Sequence, residues 1–206
     1  MKKIKDSTTE QQILEAAEKL FYERGFAMTH TTDIAREVGC NQALVHYYFR
    51  TKEKLFESFF KNKVQLFISA FLTAGNNEET FEGKLTRKIE AHFDILRKNP
   101  RLPFLLFNEI SVNPQRVESF RANLGDMPQL LLKAFDDEIE AEAKEGRIRR
   151  VPAIDLILSI ISMNAIMFIA NPIIKALTGA DEKEYERMLG RRRKENVDAI
   201  LRSLRP

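Results

Sequence analysis

Apolar residues recur along this chain at helical spacing, and no segment alternates apolar and polar residues as a half-buried strand does. The first helical run comprises Ile13, Leu14, Ala17, Leu20 and Phe21. Gly25 follows it and suits the left-handed exit of a helix, while Ser7 and Glu10 have the spacing of a capping box ahead of it. The pattern predicts an all-α fold with a first helix from about residue 7 to residue 25.

Glycines, polar capping residues and prolines divide the remaining chain into further predicted helices. The next three are short or begin with polar caps, and they cover residues 33–38, 42–48 and 51–67. The second half predicts longer amphipathic helices at residues 80–98, 102–110, 114–123, 128–145, 152–170 and 184–204. Gly39 closes the second helix, and Asn41 is the expected N-cap of the third.

Residues 30–49 have the spacing of a helix-turn-helix. Such a unit needs a small residue where its helices approach, here Ala35, and a residue that tolerates the turn four positions later, here Gly39. Apolar side chains fix the angle between the helices, and the candidates are Ile34, Val38, Cys40 and Val45. The same pattern also fits an ordinary pair of short helices in a helical core.

Four sequence motifs surround this unit. The first is Ala-Ala-x-x-Leu-Phe followed by Gly-Phe, and it lies in ILEAAEKLFYERGF (13–26). The other three lie in TTDIAREVGCNQALVHYYFRTKEKLF (31–56): Ile-Ala-x-x-Val-Gly, an aromatic pair before Phe49, and Thr-Lys-Glu-x-Leu. In this combination they resemble the N-terminal DNA-binding domain of the TetR family of bacterial transcriptional regulators. Beyond residue 70 only the architecture is similar. The resemblance implies a TetR-like chain of about nine helices, in which a three-helix helix-turn-helix domain precedes a helical ligand-binding and dimerisation domain.

The resemblance also implies which residues contact DNA. It makes residues 42–48 the recognition helix in the major groove, with the remaining contacts to the phosphate backbone at the starts of the second and fourth helices. The residues concerned are Thr31, Thr32, Asn41, Gln42, Ala43, His46, Tyr47, Tyr48 and Lys52. Helix N-termini present free N–H groups to anions, and glutamine pairs with adenine through two hydrogen bonds, so the chemistry of these positions agrees with the implied roles. Which side chain caps the second helix stays open, because His30 stands where the family often has a capping threonine.

Composition and charge narrow the alternatives. The chain has 206 residues, a formal net charge of +3 and one cysteine, Cys40, and no apolar leader follows Met1, which favours the cytoplasm. No metal-ligand spacing and no phosphate-binding glycine loop occurs among its motifs, so we expect no metal and no cofactor. Glu109 and Asp94 are imaginable as an acid/base pair, but nothing marks them, and we expect no enzyme activity.

The second half carries a candidate pocket for a small apolar ligand. Aromatic residues, methionines and a few polar groups gather there, which is typical of an apolar site with sparse polar anchors. The candidate lining residues are His92, Phe93, Phe104, Phe107, Asn108, Met127, Leu131, Met163, Asn164, Met167 and Phe168. The same composition is also typical of a plain helical core.

The apolar run from Ile154 to Ile174 needs cover on every side. Polar residues and Pro172 interrupt it, so we expect no membrane span; we expect the ligand domain to cover one side and a second subunit the other. The last helix has an apolar stripe that we assign to the same dimer interface. Its residues are Tyr185, Met188, Leu189, Val197, Ile200, Leu201 and Leu204.

Together these features predict two domains, a DNA-binding domain at residues 1–50 and an effector-binding and dimerisation domain at residues 51–206. The predicted function is that of a ligand-responsive repressor, a homodimer through the last two helices, which leaves a palindromic double-stranded operator when an effector binds. The alternative is a helical small-molecule-binding or interaction protein without specific DNA recognition.

Overall fold

The computed structural model describes residues 2–113 and 115–206. Within these ranges the chain forms eleven α-helices and no strand, which confirms the all-α prediction. In chain order the helices are α1 (Lys2–Arg24), α2 (Thr31–Val38), α3 (Gln42–Phe49), α4 (Lys52–Thr73), α5 (Phe81–Lys98), α6 (Leu102–Val112), α7 (Gln115–Leu124), α8 (Met127–Lys144), α9 (Ala153–Ile169), α10 (Asn171–Thr178) and α11 (Glu182–Ser203).

Most helix ends lie within two residues of the predicted ones, and the larger differences are the start of α1, the end of α4 at Thr73 and the additional helix α10. The helix α1 begins at Lys2, so the predicted capping box at Ser7 is wrong; no glycine or proline precedes Ser7, and the helix continues through it. The apolar run near Pro172 does not end there, because the proline occupies the first turn of a separate helix, α10. The predicted helix start at Pro114 lies outside the described residues.

The chain divides into two compact units. The first unit comprises Met1–Leu66 and Leu105–Asn123, and the second comprises Phe67–Phe104 and Leu124–Pro206. These units do not follow the predicted division after residue 50, because much of α4 and the later segment 105–123 pack with the N-terminal helices. Where the DNA-binding function ends along the chain remains a prediction.

An apolar core joins the N-terminal helices of the first unit. The helix α2 packs against both α1 and α3, and the ring of Phe21 on α1 meets that of Phe56 on α4 edge-on at 5.1 Å. The buried side chains are Ile13, Ala16, Ala17, Leu20, Phe21, Ile34, Ala35, Val45, Phe49, Leu55, Phe56, Phe59 and Phe60. Burial of this set fixes which face of α3 is left outside.

Arg116 ties α7 into the first unit. Its guanidinium carbon lies 3.8 Å from the ring centre of Phe26 and 4.5 Å from that of Phe56. One of its nitrogens lies 3.6 Å from the carboxylate of Glu109, which is 7% exposed. A cation over two aromatic faces and a buried carboxylate beside it explain why residues 105–123 belong to this unit although they follow it by some forty residues in sequence.

The second unit is built around α9, which packs against α5, α8, α10 and α11. Its core residues form two clusters. The larger cluster contains Phe81, Leu85, Ile89, Phe135, Ile139, Ile148, Val151, Ala153, Leu156, Ile160, Val197, Ile200 and Leu204, and the smaller contains Phe93, Leu96, Met167, Phe168, Tyr185 and Leu189.

One face of α9 stays outside this core. Its large apolar side chains there, with their exposed fractions, are Ile154 (45%), Leu158 (55%), Ile161 (43%) and Ile166 (47%). Among the described residues no single helix has both the length and the apolar composition to cross a bilayer, and α9 and α10 meet that condition only as a pair bent by 63°.

The apolar stripe of α11 has a different place from the predicted one. Tyr185, Leu189, Val197, Ile200 and Leu204 are buried in the two core clusters, and Met188 and Leu201 pack partly buried against them. The prediction that this stripe faces a second subunit is therefore wrong. The helices α5 and α9 of the same chain pack against α11 and provide its cover.

Candidate nucleic-acid interface

The turn between α2 and α3 has the geometry that a helix-turn-helix requires. Gly39 ends α2 in the left-handed conformation (φ +77°), where a side chain would be strained, and its N–H donates to the carbonyls of Ala35 and Arg36. Asn41 then caps α3 as predicted, since its side-chain oxygen accepts a 2.9 Å hydrogen bond from the N–H of Leu44. The predicted packing residue Cys40 is half-buried in this turn.

The exposed face of α3 carries side chains that are predicted to contact DNA. Gln42, Ala43, His46 and Tyr47 are exposed, Tyr47 to 73%, whereas Val45 and Phe49 are buried beneath the helix. Tyr48 is half-buried beside Tyr47, with ring centres 5.2 Å apart. These positions follow the helical period, so burying Val45 and Phe49 turns the others toward solvent. Their contact with DNA bases remains a prediction.

A surface cleft of about 430 Å³ brings this face together with the starts of two other helices. Its lining residues are His30, Thr31 and Thr32 from the start of α2, Gln42 and His46 from α3, and Arg50, Thr51, Lys52 and Glu53 at the start of α4. Helix N-termini carry partial positive charge and unpaired N–H groups, so two of them at one cleft form a natural anion site.

The N-terminus of α2 has no side-chain cap. His30 occupies the N-cap position, but its side chain makes no capping hydrogen bond. Thr29 is not the cap either: its hydroxyl lies 2.8 Å from the carbonyl of Gly25 at the end of α1, to which it donates. The first-turn amides of α2, including those of Thr31 and Thr32, are therefore available to an anion.

Lys52, the predicted phosphate ligand, already has partners within the chain. Its ammonium donates to the carbonyl of Phe26 at 2.9 Å and to that of Ala27 at 3.4 Å, and lies 4.2 Å from the ring centre of Phe26. The cation thus holds the segment after α1 against the start of α4 while it lines the cleft. At the same helix start, Thr51 accepts from the N–H of Lys54 at 3.2 Å.

A chain of hydrogen bonds crosses the cleft from α2 to the end of α3. The amide nitrogen of Gln42 lies 2.9 Å from the hydroxyl oxygen of Thr31 and 3.1 Å from Nε2 of His46. The other ring nitrogen of His46, Nδ1, lies 2.8 Å from the carbonyl oxygen of Arg50. The predicted DNA contacts Thr31, Gln42 and His46 are therefore one connected group.

Arg50 has an unusual backbone conformation. Its φ of +61° and ψ of −56°, with a 2.6 Å hydrogen bond from the N–H of Thr51 to the carbonyl of Phe49, form a γ-turn of the rare, strained kind. Sequence reasoning did not include Arg50, nor His30, Thr51 and Glu53, among the cleft residues. A basic residue between a recognition helix and a Thr-Lys helix start is a usable signal for Arg50, but nothing in the sequence indicates its positive φ.

The predicted ligand residues do not share one environment. Phe93, Asn164, Met167 and Phe168 are buried in the core, and His92, Leu131 and Met163 are half-buried. In contrast, Phe104 (58% exposed), Phe107 (66%), Met127 (48%) and Asn108 lie at the surface of their helices. Phe107 and Asn108 also belong to the first compact unit and the others to the second. Whether any of them contacts an effector remains a prediction.

Three of the polar groups in the second unit form a buried network. Asn196 donates to the side-chain oxygen of Asn164 at 2.8 Å, and Asn164 donates to the carbonyl of Ile89 at 3.0 Å. The amide nitrogen of Asn164 also lies 3.0 Å from Nδ1 of His92. Burial lowers the pKa of His92 to about 4 because the charged imidazolium is poorly solvated there. The imidazole is accordingly neutral, with Nδ1 accepting from Asn164.

Comparison with known proteins agrees with this geometry. Residues 13–59 match the family model described as bacterial regulatory proteins, tetR family. The fatty acid metabolism regulator protein of Bacillus subtilis (strain 168) is 24% identical over 67% of this chain and 70% of its own length. The nucleoid occlusion factor SlmA of Haemophilus influenzae (strain PittGG) is 29% identical over 47% of this chain, which spans only 44% of that protein.

A solved structure gives the same result for the fold. The crystal structure of a TetR family transcription regulator from Marinobacter aquaeolei VT8 superposes with a TM-score of 0.71 over 99% of this chain and 98% of that one, at 20% identity. The matched residues 13–59 contain α2, α3 and the start of α4, the elements that line the cleft. Residues 13–59 are therefore similar to the tetR family of bacterial regulatory proteins, and the chain as a whole shares the fold of a TetR family transcription regulator.

Proposed function

We propose that this chain is a cytoplasmic, sequence-specific DNA-binding repressor that acts as a homodimer and leaves a palindromic operator when a small apolar effector binds. The observation that carries the proposal is the exposed polar face of α3 beside two helix N-termini in one open cleft. In this arrangement α3 enters the major groove, where Gln42, Ala43, His46 and Tyr47 reach base edges.

The phosphate contacts come from the edges of the same cleft. The uncapped first turn of α2, with Thr31 and Thr32, binds one phosphate through its amides and hydroxyls. Arg50 and Lys52 bring positive charge to the opposite edge, and only Glu53 among the lining residues opposes it. Tyr48 and Asn41 flank the recognition face and contact the backbone from there.

The homodimer forms through the exposed face of α9, with α11 beside it. Leu158 and its neighbours Ile154, Ile161 and Ile166 are about half exposed on a helix whose other face is fully packed, and burying them supplies the driving force for association. A homodimer has two recognition helices, and these engage successive major grooves of one palindromic operator.

The effector is a small apolar molecule taken up by the second half of the chain. The Bacillus subtilis relative is named for fatty acid metabolism, and we extend that chemistry to this chain as a first choice of probe. Release from DNA requires that the effector bind one conformation of the dimer better than the DNA-binding one. Asn164 and Asn196 are hydrogen-bonded to each other in the core of this half. An effector that displaces this pair would change the packing of several helices at once.

The proposal is tested by selecting bound sequences from a randomised double-stranded DNA library. We expect a palindromic motif with half-sites about one helical turn apart. Binding of the selected duplex is then measured against salt concentration for the wild type, for Arg50→Ala and for a matched control, Lys61→Ala, an exposed lysine of α4 outside the cleft.

Arg50→Ala is expected to lower the salt slope by about one per subunit, and Lys61→Ala to leave it unchanged. Addition of a long-chain fatty acid tests the effector class by release of the duplex and by a rise in melting temperature. If the wild type enriches no motif at low salt, the chain is not a sequence-specific DNA-binding protein, and the alternative of a ligand-binding protein without DNA recognition takes its place.

A further inference from the structure

The strained turn at Arg50 determines the tautomer of His46. A backbone carbonyl only accepts hydrogen bonds, so Nδ1 of His46, 2.8 Å from the carbonyl oxygen of Arg50, must carry the proton. In the neutral ring Nε2 then has a free lone pair and acts as an acceptor. The γ-turn is what directs this carbonyl toward the imidazole, since an ordinary helix end would leave it along the axis of α3.

The tautomer of His46 in turn fixes the amide of Gln42. An acceptor at Nε2 requires a donor opposite it, and the Gln42 atom 3.1 Å away is the amide nitrogen. The same nitrogen donates to the hydroxyl oxygen of Thr31 at 2.9 Å. A glutamine amide has two N–H donors, and both are used in this arrangement. The amide group is held in one orientation by neighbours on two different helices.

We propose that Gln42 reads its base through the carbonyl oxygen alone, because Thr31 and His46 occupy both of its N–H donors. The inference rests on the proposed function and deepens it, since it names the base class at one operator position. An oxygen acceptor pairs with the amino groups of adenine (N6) and cytosine (N4) in the major groove, and it is repelled by the carbonyl oxygens of guanine and thymine. The preferred base is therefore adenine or cytosine, without distinction between them by this side chain.

This differs from the pairing that glutamine makes when its amide is free. A free amide donates to N7 of adenine while it accepts from N6, and so selects adenine alone. At the operator position read by Gln42, Thr31 and His46 are positioning residues, because they act on the base preference there through Gln42. Arg50 acts through the carbonyl that orients His46. Strain at functional positions is tolerated where it fixes such an arrangement.

The test compares base preference at the Gln42 position in selected sequences from a randomised duplex library. Gln42→Ala first identifies the position, as the one whose preference disappears. Thr31→Val keeps the shape of the side chain and removes the acceptor, which releases one N–H, and we expect adenine over cytosine to rise by about 2- to 12-fold, the range for one hydrogen bond. Thr31→Ser retains the hydroxyl and is the matched control, with the wild-type ratio expected.

Two further variants separate positioning from a general structural effect. His46→Phe keeps a ring at this place and removes Nε2, so it is expected to narrow the preference to adenine as Thr31→Val does. In a Gln42→Ala background, Thr31→Val is expected to leave all base ratios unchanged, although it weakens binding to every sequence through the lost phosphate contact.

The outcomes are distinguishable. Absence of any wild-type motif refutes the proposed function and this inference with it. A wild-type motif with guanine or thymine at the Gln42 position, or with adenine alone there, overturns the inference and leaves the proposed function standing. So does an unchanged adenine-to-cytosine ratio in both Thr31→Val and His46→Phe.

Discussion

Lowering the pH is expected to destabilise the second unit through His92. Burial holds the pKa of this imidazole at about 4, below the ordinary value of 6.5 that it regains on unfolding. The unfolded chain therefore binds the proton first, and stability is complete above about pH 6.5 and falls as the pH drops toward 4. The added proton has no place in the fold, because Nδ1 accepts from Asn164.

The size of the effect follows from the difference between the two pKa values. Each pH unit between 6.5 and 4 costs about 1.4 kcal/mol, so lowering the pH from 7.5 to 5.5 removes about 1 kcal/mol, and the limit at acid pH is about 3 kcal/mol. Three carboxyls with lowered pKa values, Asp136, Glu140 and Glu142, lose their stabilising charge only at more acid pH, which makes pH 5.5 the useful end point.

The assay is urea unfolding at fixed protein concentration, followed by far-ultraviolet circular dichroism since the chain has no tryptophan. His92→Gln serves as the comparison, because its side-chain oxygen accepts from Asn164 and does not titrate. We expect the stability difference between pH 7.5 and 5.5 to shrink by about 1 kcal/mol in this variant. Equal pH dependence in the two proteins would refute the assignment to His92.

Three further predictions concern the backbone, the aromatic cation site and the dimer. Gly75→Ala is expected to destabilise the chain by more than about 1 kcal/mol, since φ is +84° and the new Cβ would lie 2.7 Å from the backbone of α5. Gly190 lies within α11 with open space around it, so Gly190→Ala is expected to stabilise the chain by about 0.5–1 kcal/mol. Urea unfolding measures both changes. Arg116→Ala is expected to lower the free energy of unfolding by about 2 kcal/mol, because the aromatic contacts are lost and the buried carboxylate of Glu109 is left unpaired. Arg121 is exposed, so Arg121→Ala is expected to have almost no effect, and equal losses in the two variants would contradict the role given to Arg116. Leu158→Asp is expected to convert the proposed homodimer to a monomer in light scattering, and an unchanged mass would place the interface elsewhere.

Local signals account for what the sequence predicted well. The turn at Gly39 and the cap at Asn41 each depend on a few neighbouring residues, so the sequence alone is enough to predict both. The conformation of Arg50 was not predictable in this way, because an arginine has no preference for positive φ. Its turn lies between the end of α3 and the start of α4, and only the three-dimensional structure shows that its carbonyl meets His46.

Amphipathic patterns predicted which faces are buried and not what covers them. The stripe of α11 beginning at Tyr185 suggested a subunit interface, yet α5 and α9 of the same chain cover it. The run on α9 was expected to need cover on both sides, and one side, represented by Leu158, is exposed in the single chain. Likewise their composition assigns Phe104 and Phe107 to a ligand pocket or a helical core, although both are exposed on α6. Periodicity carries no information on the partner surface.

The guanidinium of Arg116 over Phe26 has a consequence for building hybrid regulators. A graft that transplants residues 1–66 alone onto another domain removes the guanidinium that lies over Phe26 and Phe56, and it divides the compact unit to which these rings belong. The unit that can be exchanged between proteins is therefore discontinuous in sequence. Residues 105–123 have to be transplanted together with the N-terminal segment.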